Sequence, residues 1–131
     1  LINSSPLVNN YHAPFLHYAF CNIVTETVFD YPYPYLTEKT YKNFWHASPF
    51  IIVGAPNSLE LLRQQGFKTF SKWWNEDYDT IDDTVKRLEK LFKVLEEIGN
   101  WSTEQCRLVY NDMKPVLQHN YENYLEKFVN D

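Results

Sequence analysis

The chain is 131 residues long, carries a formal net charge of −5, and is 18% aromatic. This length suits one domain with a hydrophobic core, and the aromatic content argues against a disordered protein. The negative charge gives no support to nucleic-acid binding, and no apolar run reaches the roughly 20 residues that a transmembrane segment needs.

The first part of the chain predicts two strands with a helix between them. Residues 21–25 end in β-branched types, which favour a strand. A Tyr-Pro repeat follows, and Thr37 can then cap a helix that runs to about Ala47 and stops before Pro49. Residues 50–55 are continuously apolar between two prolines, which is typical of a parallel strand that is buried on both faces.

A second helix and a third strand are predicted next. Asn57 stands three residues before Glu60, a pair that resembles a capping box and indicates a helix start. Gly66 supplies the usual C-terminal stop of such a helix. Residues 67–70, "FKTF", then predict a third short strand.

Two longer helices are predicted in the C-terminal half. In residues 82–98, and again in residues 103–129, apolar side chains recur at helical spacing opposite a polar face. Pro115 should kink or break the second of these helices. The two apolar faces consist of Val85, Leu88, Leu91, Phe92, Leu95 and Ile98, and of Val109, Met113, Leu117, Tyr121, Tyr124 and Phe128.

This order of elements predicts an α/β fold: a small Rossmann-like parallel sheet flanked by helices, with two longer C-terminal helices. We expect one domain over residues 1–131, although three strands are few for a complete nucleotide-binding fold. Because the first residue is Leu and no signal peptide is visible, the chain is expected to be part of a longer cytoplasmic protein. Ligands of such sheets bind beyond the carboxyl ends of the strands, here at residues 26–38 and 54–58.

The start of the first helix has the chemistry of a nucleotide site. A helix start offers unpaired N–H groups to an anion such as a diphosphate, and Lys39 adds a full positive charge. Glu38 can accept hydrogen bonds from ribose hydroxyls. Tyr35 can supply a ring that stacks on the ligand or a hydroxyl that forms a hydrogen bond with it. A purely structural interpretation stays open, because the helix dipole alone favours Glu38 in a first turn and surface lysines are common.

The segments "NIVTET", "YLTEK" and "PFIIVGAP" together resemble the donor-binding signature of α-1,3-fucosyltransferases. The resemblance implies the C-terminal, nucleotide-sugar-binding half of a GT-B glycosyltransferase. By position, Tyr35, Glu38 and Lys39 match the donor-binding residues of that family, and Glu26 matches an upstream glutamate. The family normally has Asn after that glutamate, where Thr27 stands here.

The resemblance further implies transfer of a sugar from a nucleoside-diphosphate sugar to a hydroxyl of a carbohydrate acceptor. Lys39 and the helix start would stabilise the leaving diphosphate, so no metal or other cofactor is expected. The acceptor-binding half, which supplies the catalytic base in that family, has no counterpart in the chain. Whether the chain alone is an enzyme therefore stays open, and the alternative is a non-catalytic interaction domain that retains the fold.

Several other residues have side chains that occur in binding sites. Cys21 and Cys106 lack metal-ligand spacing and predict buried thiols, and the four histidines also lack such spacing. Trp73 and Trp74 could stack on a sugar, although packing is the more common use of such a pair. The acidic segment 75–79, "NEDYD", could bind a cation, but it lacks the glycine and the closing glutamate of a calcium loop.

Overall fold

The computed structural model describes residues 20–26 and 32–129 of the chain. These residues form a mixed α/β structure with a two-stranded parallel sheet and four α-helices, of which the last is the longest. The elements are β1 (Asn22–Thr25), α1 (Glu38–Trp45), β2 (Phe50–Val53), α2 (Ser58–Gln64), a 3-10 helix (Asp77–Thr80), α3 (Thr84–Gly99), α4 (Thr103–Tyr124) and a π-helix (Leu125–Val129).

The first two predicted strands are confirmed, and they pair with each other. β1 and β2 run parallel, with Asn22 opposite Phe50 and Thr25 opposite Val53. Parallel strands need a crossover connection, and α1 lies in that connection, so β1, α1 and β2 form a β-α-β unit. The first three side chains of β2 are at most 3% exposed, which fits the prediction of a strand covered on both faces.

Helix α1 begins where the sequence predicts and ends slightly earlier. Thr37 is the N-cap, and its hydroxyl accepts the Lys39 N–H at 3.2 Å. The helix ends at Trp45, and Ala47 then adopts a positive φ of 51°, which an α-helix does not allow. The chain thus turns before Pro49 and enters β2.

Helix α2 is present, but its predicted cap is wrong. Asn57 has a left-handed backbone with φ 66°, and its side chain makes no capping bond. The N–H groups of Leu59 and Glu60 instead donate to Oδ1 and Oδ2 of Asp79, at 2.9 and 3.1 Å. The predicted stop at Gly66 is confirmed, because this residue follows the helix with φ 91°.

Residues 67–70 do not form the predicted third strand, because the described sheet has two strands. The side chain of Asn120, from α4, pairs with this segment instead. Its Oδ1 accepts the Lys68 N–H at 2.8 Å, and its Nδ2 donates to the Lys68 carbonyl at 2.9 Å. One amide side chain thus makes the two bonds that a neighbouring strand would make, while Phe67 and Phe70 remain buried.

The buried face of α3 differs from the predicted one. Arg87, Leu91 and Val94 are buried, whereas Val85 and Phe92 are 63% and 61% exposed. Successive helical residues are about 100° apart, so Val85 and Phe92 point to the side opposite Arg87. The prediction of these two residues as core was therefore wrong. The predicted residues that lie half-buried on this helix are Leu88, Leu95 and Ile98.

Helix α4 continues through Pro115, so the break that this proline predicted does not occur. A proline leaves the carbonyl four residues earlier without its helical donor. That residue, Asn111, is exposed like Pro115 itself, so water can reach its carbonyl. The buried side of the helix carries Met113 and Leu117, and α4 packs against α1.

The core lies where the β-α-β unit meets the second half of the chain. Phe44 of α1 stacks on Phe67, with ring centroids 3.8 Å apart and planes only 3° apart. Phe50 of β2 packs edge-on against Phe44 and against Phe70, at centroid distances of 5.3 Å each. Aromatic side chains thus hold the sheet, α1 and the 67–70 segment together.

Candidate functional site

One buried carboxylate joins the carboxyl end of β1 to the start of α1. Glu26 directly follows β1 and is 3% exposed. Its Oε2 accepts the Thr37 N–H at 3.0 Å and the Thr40 hydroxyl at 2.5 Å. Its Oε1 accepts the Thr37 hydroxyl at 2.7 Å. A negative charge therefore lies at the positive end of the helix dipole and holds α1 against β1.

The surroundings of Glu26 keep its carboxylate ionised. Burial raises the pKa of Glu26, but the hydrogen bonds from Thr40 and Thr37 and the charge of Lys39 outweigh burial. The pKa of Glu26 consequently lies below its usual value. At neutral pH the start of α1 thus carries a fixed negative charge.

Strand β2 reaches the same carboxylate at its own carboxyl end. The Glu26 N–H donates to the Val53 carbonyl at 3.0 Å, which extends the strand pairing by one residue. A Cβ atom on Gly54 would lie 3.1 Å from Ile52 Cγ2 and 3.4 Å from Glu26 Cβ. The carboxyl ends of both strands therefore meet at Glu26, and glycine at position 54 permits the close approach.

The four residues predicted to bind a donor fall into two environments. Glu26 and Lys39 are neighbours, since the charge of Lys39 lowers the pKa of Glu26. Tyr35, which is 57% exposed, and Glu38 lie at the surface before and at the start of α1. Thr27, the departure from the family pattern, lies outside the described residues.

An open cavity of about 220 Å³ lies between β1 and α1, and we call it the β1 cavity. Lys39 and Lys42 both line it, and their spacing places them on one face of α1. Two ammonium groups beside a strand edge favour an anionic ligand. Helix-start chemistry pointed to Lys39 but not to Lys42, which lies three residues later in the sequence. The remaining lining residues are Asn22, Ile23, Val24, Thr25 and Asn43.

Two asparagines fix the wall of the β1 cavity. Asn22 Nδ2 donates to Asn43 Oδ1 at 2.9 Å and to Ser48 Oγ at 2.8 Å. Asn43 Nδ2 in turn donates to the carbonyls of Lys39 and Thr40, at 2.9 and 3.1 Å. This network ties the first residue of β1 to the backbone from which the Lys39 side chain extends.

The acidic segment 75–79 turns two of its carboxylates inward. Glu76 accepts the Phe70 N–H at 3.0 Å and pairs with Arg63 at 3.2 Å, while Asp79 caps α2. Burial raises the pKa of both Glu76 and Asp79 above the usual values. Within residues 20–26 and 32–129, no group of three or more His, Cys, Asp or Glu side chains is placed to hold a metal ion. These carboxylates support the fold.

The two adjacent tryptophans differ in their contacts: Trp74 packs in the core, and Trp73 forms a hydrogen bond nearer the surface. Trp74 is 3% exposed and packs against Phe70, with ring centroids 5.3 Å apart. Trp73 is half-buried, and its Nε1 donates to Asp112 at 2.9 Å. Neither ring lines the β1 cavity.

The cysteines are free and half-buried rather than fully buried. Burial, and then the neighbouring Cys106, raise the pKa of Cys21 to about 12, so this thiol is inert at neutral pH. Of the histidines, His12 and His17 lie outside the described residues, and His119 Nε2 lies 2.9 Å from the Gly66 carbonyl.

Comparisons with known proteins give no family for this chain. No family model, no curated protein and no solved structure matches it. Among the described helices, none combines the length and the apolar character that crossing a membrane requires.

Proposed function

We propose that this chain is the donor-binding part of a glycosyltransferase that takes a sugar from a nucleoside-diphosphate sugar. In this proposal the two described strands belong to a larger Rossmann-like sheet of GT-B type, and a second domain supplies the acceptor site and the catalytic base. Three features support the proposal: the β-α-β unit, the order of the segments "NIVTET", "YLTEK" and "PFIIVGAP", and the position of Lys39 beside the β1 cavity.

The observation that carries the proposal is the β1 cavity with its two lysines. Lys39 and Lys42 bring two positive charges to a cavity that runs along the whole of the parallel strand β1. Parallel α/β sheets bind their ligands at the carboxyl ends of the strands, and the cavity extends to that end of β1 at Thr25. A diphosphate carries the matching negative charge, and it is also the group on which charge develops when the sugar leaves.

The geometry refines where the diphosphate would bind. The sequence suggested the N–H groups at the start of α1, but the Glu26 carboxylate already lies there and would repel a second anion. The diphosphate is therefore assigned to the side of α1 that carries Lys39 and Lys42. Tyr35 and Glu38, which lie at the surface close by in sequence, are assigned to the nucleoside and its ribose.

Glu26 has a positioning role in this proposal. Its bonds to Thr37 and Thr40 are all internal, and they fix α1 relative to β1. The direction in which Lys39 leaves the helix is fixed with them. Glu26 thus orients the lysine that binds the diphosphate and does not itself contact the donor.

The test is calorimetric titration of GDP, UDP and ADP into the full chain and its variants. Lys39→Ala should weaken nucleotide binding by about ten- to hundredfold, the range for loss of a charge-assisted hydrogen bond. Glu38→Gln should weaken the nucleotides but not inorganic pyrophosphate, because its partner is the ribose. Lys86→Ala is the matched control, since Lys86 is an exposed lysine of α3 that does not line the β1 cavity.

The outcomes separate this proposal from a non-catalytic interaction domain. The observation that favours the rival is the internal bonding of Glu26, Thr37 and Thr40, which a purely structural helix start would also show. Absence of binding at several millimolar of all three nucleotides would support the rival. Binding that Lys39→Ala and Lys86→Ala weaken equally would show a general charge effect and remove the β1 cavity from the argument.

A further inference from the structure

Helix α3 carries a line of apolar side chains at its surface. Val85 and Phe92 are 63% and 61% exposed. Leu88 and Leu95, which lie beside them on the helix, are half-buried. The spacings between these four residues are three, four and three, which places them along one side of the helix. We call these four residues the α3 stripe, and none of them lines the β1 cavity.

The α3 stripe has the pattern of a helix that packs along another helix. Spacings that alternate between three and four residues are those of the contact positions in a coiled coil. Single exposed apolar residues are common on protein surfaces, but a continuous exposed line of them marks an interaction site. Helix α3 is 16 residues long, so the stripe suits a partner helix of similar length.

A row of alternating charges runs along α3 beside the stripe. Its four side chains are all exposed, and none of them is in an ion pair with another described residue. Their spacings are again three, four and three, so they share one side of the helix. We call them the charge row, and in chain order they are Lys86, Glu89, Lys93 and Glu96.

The charge row is complementary to itself when two copies of α3 pack antiparallel. A two-fold axis at the middle of the helix places Lys86 level with Glu96 of a second copy. The same axis places Glu89 level with Lys93 of that copy. Two copies packed parallel and in register would instead set each charge against its own kind, which is unfavourable. The charges therefore favour a second copy of this chain in the antiparallel orientation.

The apolar residues agree with the same two-fold axis. Phe92 lies near the middle of α3, so the two Phe92 rings meet close to the axis. Leu88 lies before the middle and Leu95 after it, so each packs against the other residue type of the second copy. One axis thus pairs both the α3 stripe and the charge row, as an interface between identical surfaces requires.

We propose that this chain forms a closed dimer in which two copies of α3 pack antiparallel through the α3 stripe, flanked by ion pairs between the two charge rows. One helix from each chain makes a small interface, so the dimer is weak and reversible. This interface is separate from the proposed donor site and does not depend on it.

The experiment is sedimentation equilibrium of the full chain from micromolar to millimolar concentration. The average mass should rise from that of one chain towards that of two and stop there, because a two-fold interface closes on itself. A mass that stays at one chain overturns the proposal and would mean that the α3 stripe has a different partner. Growth beyond two chains also overturns it, because a closed dimer leaves no surface for a third copy.

Phe92→Glu tests the α3 stripe. It places two carboxylates at the centre of the dimer and should keep the chain monomeric over the whole concentration range. Leu108→Glu is the matched control, since Leu108 is 57% exposed and lies on α4. This control should dimerise like the parent chain. Both changes are at exposed positions, so both variants should melt close to the parent when dilute. Dimerisation of Phe92→Glu that is no weaker than that of Leu108→Glu would overturn the proposal.

An exchange of charges tests the antiparallel orientation. Lys93→Glu sets a carboxylate against Glu89 of the second copy and should weaken the dimer about tenfold, since the two-fold axis doubles the loss of one exposed ion pair. Adding Glu89→Lys to Lys93→Glu restores opposite charges between antiparallel copies and should recover most of the affinity. If the double variant stays as weak as Lys93→Glu, these residues do not face each other and the proposed dimer is wrong.

Discussion

Two helices of this protein begin on a carboxylate that is distant in the sequence. The Thr37 N–H at the start of α1 bonds to Glu26, 11 residues earlier, and the Leu59 N–H at the start of α2 bonds to Asp79, 20 residues later. Both carboxylates are at most 4% exposed. Their pKa values nevertheless move in opposite directions, down for Glu26 and up for Asp79.

The difference lies in the balance between burial and the partners of each carboxylate. Burial raises the pKa at both sites, but Glu26 also accepts from two hydroxyls and has Lys39 nearby. Asp79 accepts from two backbone N–H groups, and the charge of Arg63 is opposed by that of Glu60. Burial therefore prevails at Asp79. The same structural role, a remote helix cap, can thus be performed by a carboxylate that is held ionised or by one that is held closer to protonation.

The largest expected effect is on stability. Glu26→Ala removes three hydrogen bonds to a charged group and should cost about 3 kcal/mol, while Asp79→Ala removes two and should cost about 2 kcal/mol. Urea unfolding of both variants at neutral pH measures the difference. An equal or larger loss for Asp79→Ala would mean that the opposite pKa shifts do not reflect how strongly each carboxylate is held.

The next effect is on the pH dependence of stability. The pKa of Glu26 is below its usual value of 4.5 in the folded state, so its contribution is full above that value and is lost as pH falls through the folded pKa. The pKa of Asp79 is above its usual 3.8, so Asp79 favours folding below that value and loses this contribution as pH rises through the folded pKa. Each pKa unit of difference is worth about 1.4 kcal/mol.

The free energy of unfolding, measured from about pH 3 to pH 7, separates the contribution of Glu26 from that of Asp79. Glu26→Gln should remove part of the loss of stability on the acid side. Asp79→Asn should remove part of the decline as pH rises from the acid range. If the stability of both variants depends on pH in the same way, these two carboxyl groups do not control the pH dependence of stability.

The smallest effect concerns the residues that precede the two helices. Asn57→Gly should change stability by less than about 0.5 kcal/mol, because Asn57 has a positive φ and no side-chain capping bond. Thr37→Ala, the matched change at α1, should cost about 1 kcal/mol or more, since it loses a capping bond and a bond to Glu26. Thermal melts compare the two. A larger loss of stability for Asn57→Gly than for Thr37→Ala would show that the Asn57 side chain caps α2 after all, as the sequence suggested.

The sequence predicted those elements whose signals are local. β1, α1 and β2 follow from β-branched runs, the Thr37 cap and Pro49, all of which act within a few residues. Gly66 ended its helix as expected because a positive φ is a property of one residue. Lys39 was predicted as a binding residue from its place beside a helix start; it lines the β1 cavity, and its role in binding stays a prediction.

The failures involve partners that are far apart in the chain. The cap of α2 comes from Asp79, and the 67–70 segment bonds to Asn120, 52 residues after Lys68. No local pattern indicates either bond. The buried face of α3 was predicted from the spacing of apolar residues, and this spacing gave no sign that Arg87 is buried. The Arg87 guanidinium donates to the carbonyls of Ile81 and Asp82, so this charged residue lies on the core side of the helix. The β1 cavity depends on two elements packing together and could be predicted only in part.

The bonds between Glu26 and Thr37 also close the chain between them into a loop with fixed ends. The entropy of closing a loop grows only slowly with its length. Insertions or replacements between these two residues should therefore leave β1, α1 and the direction of Lys39 unchanged. The length and sequence of the chain between Glu26 and Thr37 can therefore change while the β1 cavity stays the same, in the way that variable loops change what a rigid scaffold recognises.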